Sequence, residues 1–257
     1  NQTGLPQSSR NVVIAGNVFK GTLGENVYCV GWPKDNDVYA KVESVVIANN
    51  AFEQGATTSS CITARWTNRL TIAGNSFHRT YRGVWLSYVS HANIADNLFE
   101  DTKTEAVYSE EPDAAYRGRG HTAFIQIHHN QIRRCGRNGI FIQSMDGFQV
   151  SGNTIDSPAL ETDNARHGIN VANGAKNGTV SGNRIAKAPS GNQNQYGINV
   201  TSTCANVQLS NNYAEGKTAA VLVQGATNFD GVYMHAPNGA RYKMTIGSDG
   251  VPAFAPA

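Results

Sequence analysis

The stretch VVIAGNVF, Val12–Phe19, recurs along the whole chain. It returns as VVIANNAF at Val45–Phe52, LTIAGNSF at Leu70–Phe77, ANIADNLF at Ala92–Phe99 and IQIHHNQI at Ile125–Ile132. FQVSGNTI at Phe148–Ile155, GTVSGNRI at Gly178–Ile185 and VQLSNNYA at Val207–Ala214 complete the set. One Asn is constant, at Asn17, Asn50, Asn75, Asn97, Asn130, Asn153, Asn183 and Asn212. The intervals are 33, 25, 22, 33, 23, 30 and 29, so the minimum unit is 22 residues and the surplus is inserted loop.

Ahead of each Asn, apolar side chains alternate with small or polar ones: Leu70 and Ile72 against Thr71 and Ala73, Phe148 and Val150 against Gln149 and Ser151. Period two places them on opposite faces of a strand. A second phrase of that period opens the unit, as GVWLS at Gly83, GIFIQ at Gly139, GINVA at Gly168 and GINVT at Gly197. A third, very short strand follows the Asn and carries Phe19, Phe52, Phe77, Phe99, Ile132, Ile155 or Ile185. Three short strands bury little alone. Stacked coil on coil at about 4.8 Å, eight such units enclose one core roughly 38 Å long.

The residue just before the constant Asn is Gly16, Asn49, Gly74, Asp96, His129, Gly152, Gly182 or Asn211. None is β-branched, and most are types that tolerate positive φ. A left-handed bend there turns the Asn inward, where stacked amides satisfy one another. Hairpin turns would also use Asn-Gly pairs, but would not place an apolar residue two positions later in every repeat.

These motifs resemble the right-handed parallel β-helix of the pectate-lyase-like superfamily, with its inner asparagine ladder, over Val12 to Gln224. The fold expected is all-β: an eight-coil solenoid over 1–224 and a short β tail over 225–257. The tail from Ala236 is similar to those after the helix in phage tailspike-like and bacterial pectate-lyase-like proteins. It predicts a strand at Arg241–Ile246 and a turn at Gly247–Gly250. The repeat starts within a dozen residues of the amino end without an obvious cap, which suggests a fragment or a first coil resting on a partner.

The resemblance implies that substrate lies along the outer face of the opening strand. Alignment to the ladder turns Val84, Ile140, Ile169 and Ile198 inward. Trp85, Ser87, Phe141, Gln143, Asn170, Ala172, Asn199 and Thr201 then face out, joined by Tyr28, Thr63, Arg65 and Tyr108. Aromatic rings beside amides and hydroxyls suit sugars, which offer apolar faces and hydroxyl edges. A satellite core under folded-over loops is the competing reading.

Two insertions, 110–120 and 156–167, carry Glu110, Glu111, Asp113, Arg117, Arg119, Glu161, Asp163, Arg166 and His167. Shorter loops add Arg79, Tyr81, Arg82, Lys103, Glu105, Arg133, Arg134 and Arg137. Long loops on a rigid scaffold concentrate function, though charge clusters are as often solvated faces. For a β-elimination lyase, Tyr81 or Tyr108 with Arg82, or His167 with Arg166, supplies base and carboxylate partner. For a glycoside hydrolase, Glu110 or Glu111 with Asp146 supplies two carboxylates. The Asp-Pro-His motif of alginate epimerases is missing.

The composition narrows the rest. The 257 residues include 26 Gly and 27 Asn, only 16% are charged, and the net charge is +2. Scattered basic residues give no nucleic-acid footprint, and no apolar run spans a membrane. His128 and His129 lack further ligands for zinc, so no metal site is assigned. No cofactor is expected, with a divalent cation such as calcium left open. Cys29, Cys61, Cys135 and Cys204 read as core thiols rather than a Cys29–Cys61 bridge. Two residues before each Asn stand Ala15, Ala48, Ala73, Ala95, His128, Ser151, Ser181 and Ser210, a ridge flat enough for a homotrimer. The expectation is therefore an extracellular or virion-tail β-helix that binds and cleaves an acidic polysaccharide as a tailspike-like depolymerase. A secreted bacterial lyase or epimerase-like enzyme and a non-catalytic adhesin are the alternatives.

Overall fold

The computed structural model describes the chain except residues 1–8, 22–23, 34–38, 41, 54–57, 111–121, 225, 230–231, 236–240, 247–251 and 257. Side chains are not described for 32–33, 39–40 or from 225 onward. The predicted turn at Gly247–Gly250 lies outside the described residues.

Three parallel sheets run the length of the rod. The first, nine strands, holds the residues ahead of the constant Asn, from Arg10–Ala15 to Ala226–Phe229. The second, eight strands, holds the short segments after it, from Val18–Lys20 to Tyr213–Ala214. The third, eight strands, runs from Val27–Val30 to Ala219–Val223. Each strand pairs with its counterpart one coil away, Ile47 with Ile72 and Phe77 with Phe99 for example. This is a right-handed parallel β-helix, with crossovers of the hand that parallel strands almost always take. The predicted strand Arg241–Ile246 lies between Val232–His235 and Pro252–Pro256 in an antiparallel sheet.

All eight residues before the constant Asn have positive φ, from 53° at Asn211 to 69° at Gly16. The bend turns the amides into one ladder. Asn50 Nδ2 donates to Asn75 Oδ1 at 3.0 Å and to Ile14 O of the preceding coil at 2.9 Å. Asn50 Oδ1 accepts from both Nδ2 and the backbone N of Asn17. The same exchange repeats to Asn212. Buried amides with every valence met lose little on leaving water.

Beside the ladder, Phe19, Phe52, Phe77 and Phe99 stack at 4.9, 4.8 and 4.5 Å, nearly coplanar. Ile132, Ile155 and Ile185 continue the column, fully buried. Each such side chain contributes roughly 2–3 kcal/mol of burial. Neighbouring coils compensate in volume. The Phe148 ring occupies the space above Gly178, where a Cβ would lie 2.1 Å from it. All four cysteines are free and buried in this core. The ridge of small residues is in register along the first sheet, interrupted by His128.

Candidate functional site

The glycine that opens each third-sheet phrase is dictated by the core. A Cβ on Gly83, Gly139, Gly168 or Gly197 would come within 2.4–2.8 Å of the side chain of Phe99, Ile155, Ile185 or Ala214. Ala106 takes this place in its own coil, fully buried. The glycine and the next residue both face inward, so strict alternation is broken once per coil. The residues ahead of it, Arg82, Glu105, Asn138, His167 and Tyr196, form a row at the start of the sheet. Two residues into each strand a second row runs Tyr28, Thr63, Trp85, Tyr108, Phe141, Asn170 and Asn199, in perfect register.

Aromatic contacts join the second row. Trp85 meets Tyr108 edge-on at 6.3 Å, and Tyr108 meets Phe141 at 5.7 Å. Arg82 from the first row caps them. Its guanidinium lies 4.3 Å from the Tyr108 ring centre, 5.6 Å from Trp85 and 5.9 Å from Tyr81. Glu105, 3% exposed, holds Arg82 through Oε2 at 3.4 Å. Lys103 sits 5.8 Å from the Tyr81 ring. Burial raises the Tyr108 phenol above its usual pKa. Burial, aided by the nearby Arg166 charge, drops His167 to about 4, so its imidazole is neutral at pH 7. That ring stacks on Tyr196 at 5.4 Å. Several polar atoms of this face are buried without a hydrogen-bond partner: Trp85 Nε1, Thr63 Oγ1, Ser87 Oγ, Arg65 Nε, Arg82 Nε and His167 Nδ1. Closed to solvent and without partners, these atoms cost the fold stability.

The structure brings together Trp85, Tyr108, Phe141, Arg82 and Tyr81, as expected from the sequence. Asn170 accepts from Asn199 Nδ2 at 2.8 Å in the same row, and Tyr28 stands 63% exposed at its first-coil end. Arg65 is half-buried with its guanidinium 5.8 Å from the Tyr88 ring. Gln143 departs from expectation. It is buried rather than solvent-facing, its amide held by Ser109 O at 3.1 Å and Asn173 Nδ2 at 2.6 Å. Ser87 and Ala172 are buried as well. Burial keeps the Tyr108 proton on, so less of its phenolate is present to act as a base.

The carboxylate pair fares differently. Asp146 belongs to a first-sheet strand, opposite Lys176, and is bound by Lys176 Nζ at 3.3 Å and Asn177 Nδ2 at 2.8 Å. Glu110 follows the Tyr108 strand and pushes that phenol's pKa upward. Glu111 lies outside the described residues, as do Asp113, Arg117 and Arg119. Most other loop charges pair on the surface: Arg137 with Glu161, Arg134 with Glu100 and Asp101, Lys217 with Asp163. The sequence reading missed Glu105 as the partner of Arg82. It also missed Asn138, whose Oδ1 accepts the backbone N–H of His167 at 2.9 Å. The signal was available, since each immediately precedes the core glycine or its alanine stand-in.

A family model described as periplasmic copper-binding protein (NosD) matches residues 30–238. The chain belongs to the NosD family. No curated protein sequence matches it significantly. Among solved structures, similarity is found to the A-module of a mannuronan C-5 epimerase of Azotobacter vinelandii, at 13% identity and TM-score 0.49. That match covers 88% of this chain and 75% of the epimerase module. A second such A-module from the same organism gives 12% and 0.41, covering 87% of this chain and 75% of the module. Full-length tailspike protein 2 of Escherichia coli O157:H7 bacteriophage CAB120 gives 10% and 0.41, covering 93% of this chain and 50% of the tailspike.

The family description names copper, so the donor set of this NosD chain is the test. Copper favours thiolate, thioether and imidazole ligands converging on one point. Among the described residues no three His, Cys, Asp or Glu side chains do so. Burial pushes the Cys61 and Cys135 thiols up to about 12, far from thiolate. His128 and His129 approach through their Nδ1 atoms at 3.2 Å, but His128 Nε2 is engaged by Asn93 Oδ1 at 2.7 Å. These residues do not fit copper, and no step is derived through it. Among the described residues no helix is long and apolar enough to cross a membrane.

Proposed function

We propose that the outer face of the third sheet binds an acidic polysaccharide outside the cytoplasm and cleaves it by β-elimination. The observation that carries this reading is Arg82, a largely buried cation set among Tyr81 and Trp85 of its own coil and Tyr108 of the next. The rings offer flat apolar surface to sugar faces. Arg82 neutralises a uronate carboxylate, which makes the adjacent ring C–H acidic. Tyr108, its ring centre 4.3 Å from that guanidinium, takes the proton as its phenolate. The electron pair passes through the carboxylate-stabilised enolate and expels the glycosidic oxygen, leaving an unsaturated end. Elimination is favoured over hydrolysis because Asp146, one of the two expected carboxylates, lies on a first-sheet strand and is bound by Lys176. Binding without cleavage is the second reading, favoured by the burial that raises the Tyr108 pKa and keeps its proton on.

The test is incubation with uronate and neutral polysaccharides, following ultraviolet absorbance of unsaturated ends and, separately, new reducing ends. Absorbance growth lost in Tyr108→Phe supports elimination. Reducing ends without absorbance replace it by hydrolysis, and retention without either replaces it by binding alone. Trp85→Ala weakens saccharide affinity about tenfold, near 1.4 kcal/mol; unchanged affinity removes this face from consideration.

A further inference from the structure

A second bend recurs in every coil, on the outer side of the first sheet. One residue ahead of the first inward side chain of the repeat, φ is positive at Asn11, Ser44, Arg69, His91, Phe124, Gly147, Asn177 and Asn206. Four coils fill this position with Asn or Gly, which adopt it at little strain, and one with Ser. Three consecutive coils do not. They place Arg69, His91 and Phe124 there, at φ of 56°, 55° and 55°. A phenylalanine in this conformation is strained, and burial does not compensate it, because Phe124 is 63% exposed.

The surroundings are shaped to present these side chains. The next coil has Gly147 at the bend, where a Cβ would crowd the Phe124 ring at 3.2 Å. Phe124 stacks on His91 at 5.1 Å and 21°. His91 Nδ1 is fixed at 3.1 Å by Asn68 Oδ1, which also accepts from Ser90 Oγ. An amide oxygen only accepts, so Nδ1 is the donor in that bond. Arg69 is exposed and has no carboxylate partner among the described residues. Alongside, Thr71, Asn93 and Gln126 form a polar floor in register. Together they line a cavity of about 360 Å³.

We propose that this groove is a second saccharide site, taking a sugar residue with an anionic substituent. The sugar face stacks on Phe124 and His91, its hydroxyls meet the floor of amides and hydroxyl, and its acid group pairs with Arg69. It lies on a different sheet from the Arg82 face, so its occupancy is independent of that proposed site.

The experiment is isothermal titration of the whole chain with oligogalacturonate and oligomannuronate, with a cello-oligosaccharide as uncharged control. At least one acidic probe is expected to fill two sites per chain, and Phe124→Ala leaves one. Trp85→Ala retains the Phe124 site, and Arg69→Gln weakens it about tenfold for the acidic probe while sparing the control. Phe124→Gly removes the strain, raising Tm as it abolishes this site. Identical stoichiometry and affinity in wild type and Phe124→Ala, or no acidic probe bound by Trp85→Ala, overturns the proposal. A site lost only on Phe124 substitution, with Trp85→Ala silent, leaves this proposal standing and sinks the reading of the third-sheet face.

Discussion

The ladder bend and the outer face of the third sheet occupy every coil at the same spacing, yet they use that spacing in opposite ways. At the bend the same amide stands eight times, each bonded alike to its neighbours. On the third-sheet face the equivalent row reads Tyr28, Thr63, Trp85, Tyr108, Phe141, Asn170 and Asn199, nearly a different residue on each coil. Where a group must satisfy its own copy one rung away, sequence is held constant. Where a face meets something else, the same rungs are free to differ.

The comparison breaks most severely at the ladder. Asn130→Ala removes the acceptor for Asn97 and the donors to Ile94 O and Asn153. It leaves several buried groups unpaired and costs about 3–5 kcal/mol in chemical denaturation. Asn170→Ala, on the outer row, costs less than about 1 kcal/mol. Equal losses would remove the distinction between the two regions.

Next comes the pairing of unlike interior positions. Gly178→Val drives a side chain into the Phe148 ring and costs about 1–3 kcal/mol. Phe148→Ala in the same chain relieves it, so the double variant loses less than the two single losses added. Simple additivity would show that neighbouring coils do not share volume.

The smallest effect sharpens the outer row. His167 ordinarily titrates near 6.5 and here near 4, depressed chiefly by burial. Between those values the unfolded chain binds a proton that the folded chain refuses. The contribution is therefore complete above pH 6.5 and is lost as pH falls towards 4, on the order of 2 kcal/mol. His167→Gln flattens the stability profile in that window; an unaltered profile assigns the acid sensitivity elsewhere.

Much of the architecture was legible because the period is written in residues with narrow conformational options. Gly16, Asn49 and Asp96 announce the bend, and Phe52 and Phe77 two residues past the ladder announce the core. The outer row was legible in register for the same reason. Its exposure was not, because Gln143 is long enough to fold back on Ser109, a contact no periodicity encodes. The Arg82–Glu105 pair was within reach of the sequence, since each stands just ahead of the core glycine or its alanine stand-in. The second bend was hidden where it matters most, since Arg69, His91 and Phe124 give no turn signal.

Every rung of the asparagine column donates towards the following coil and accepts from the one before. Backbone bonds within a sheet point alternately up and down and largely cancel, whereas these amide dipoles add head to tail, as peptide groups do in a helix. The rod thus has an electrical direction along its axis, oxygen-negative towards the first coil, despite a net charge of only +2.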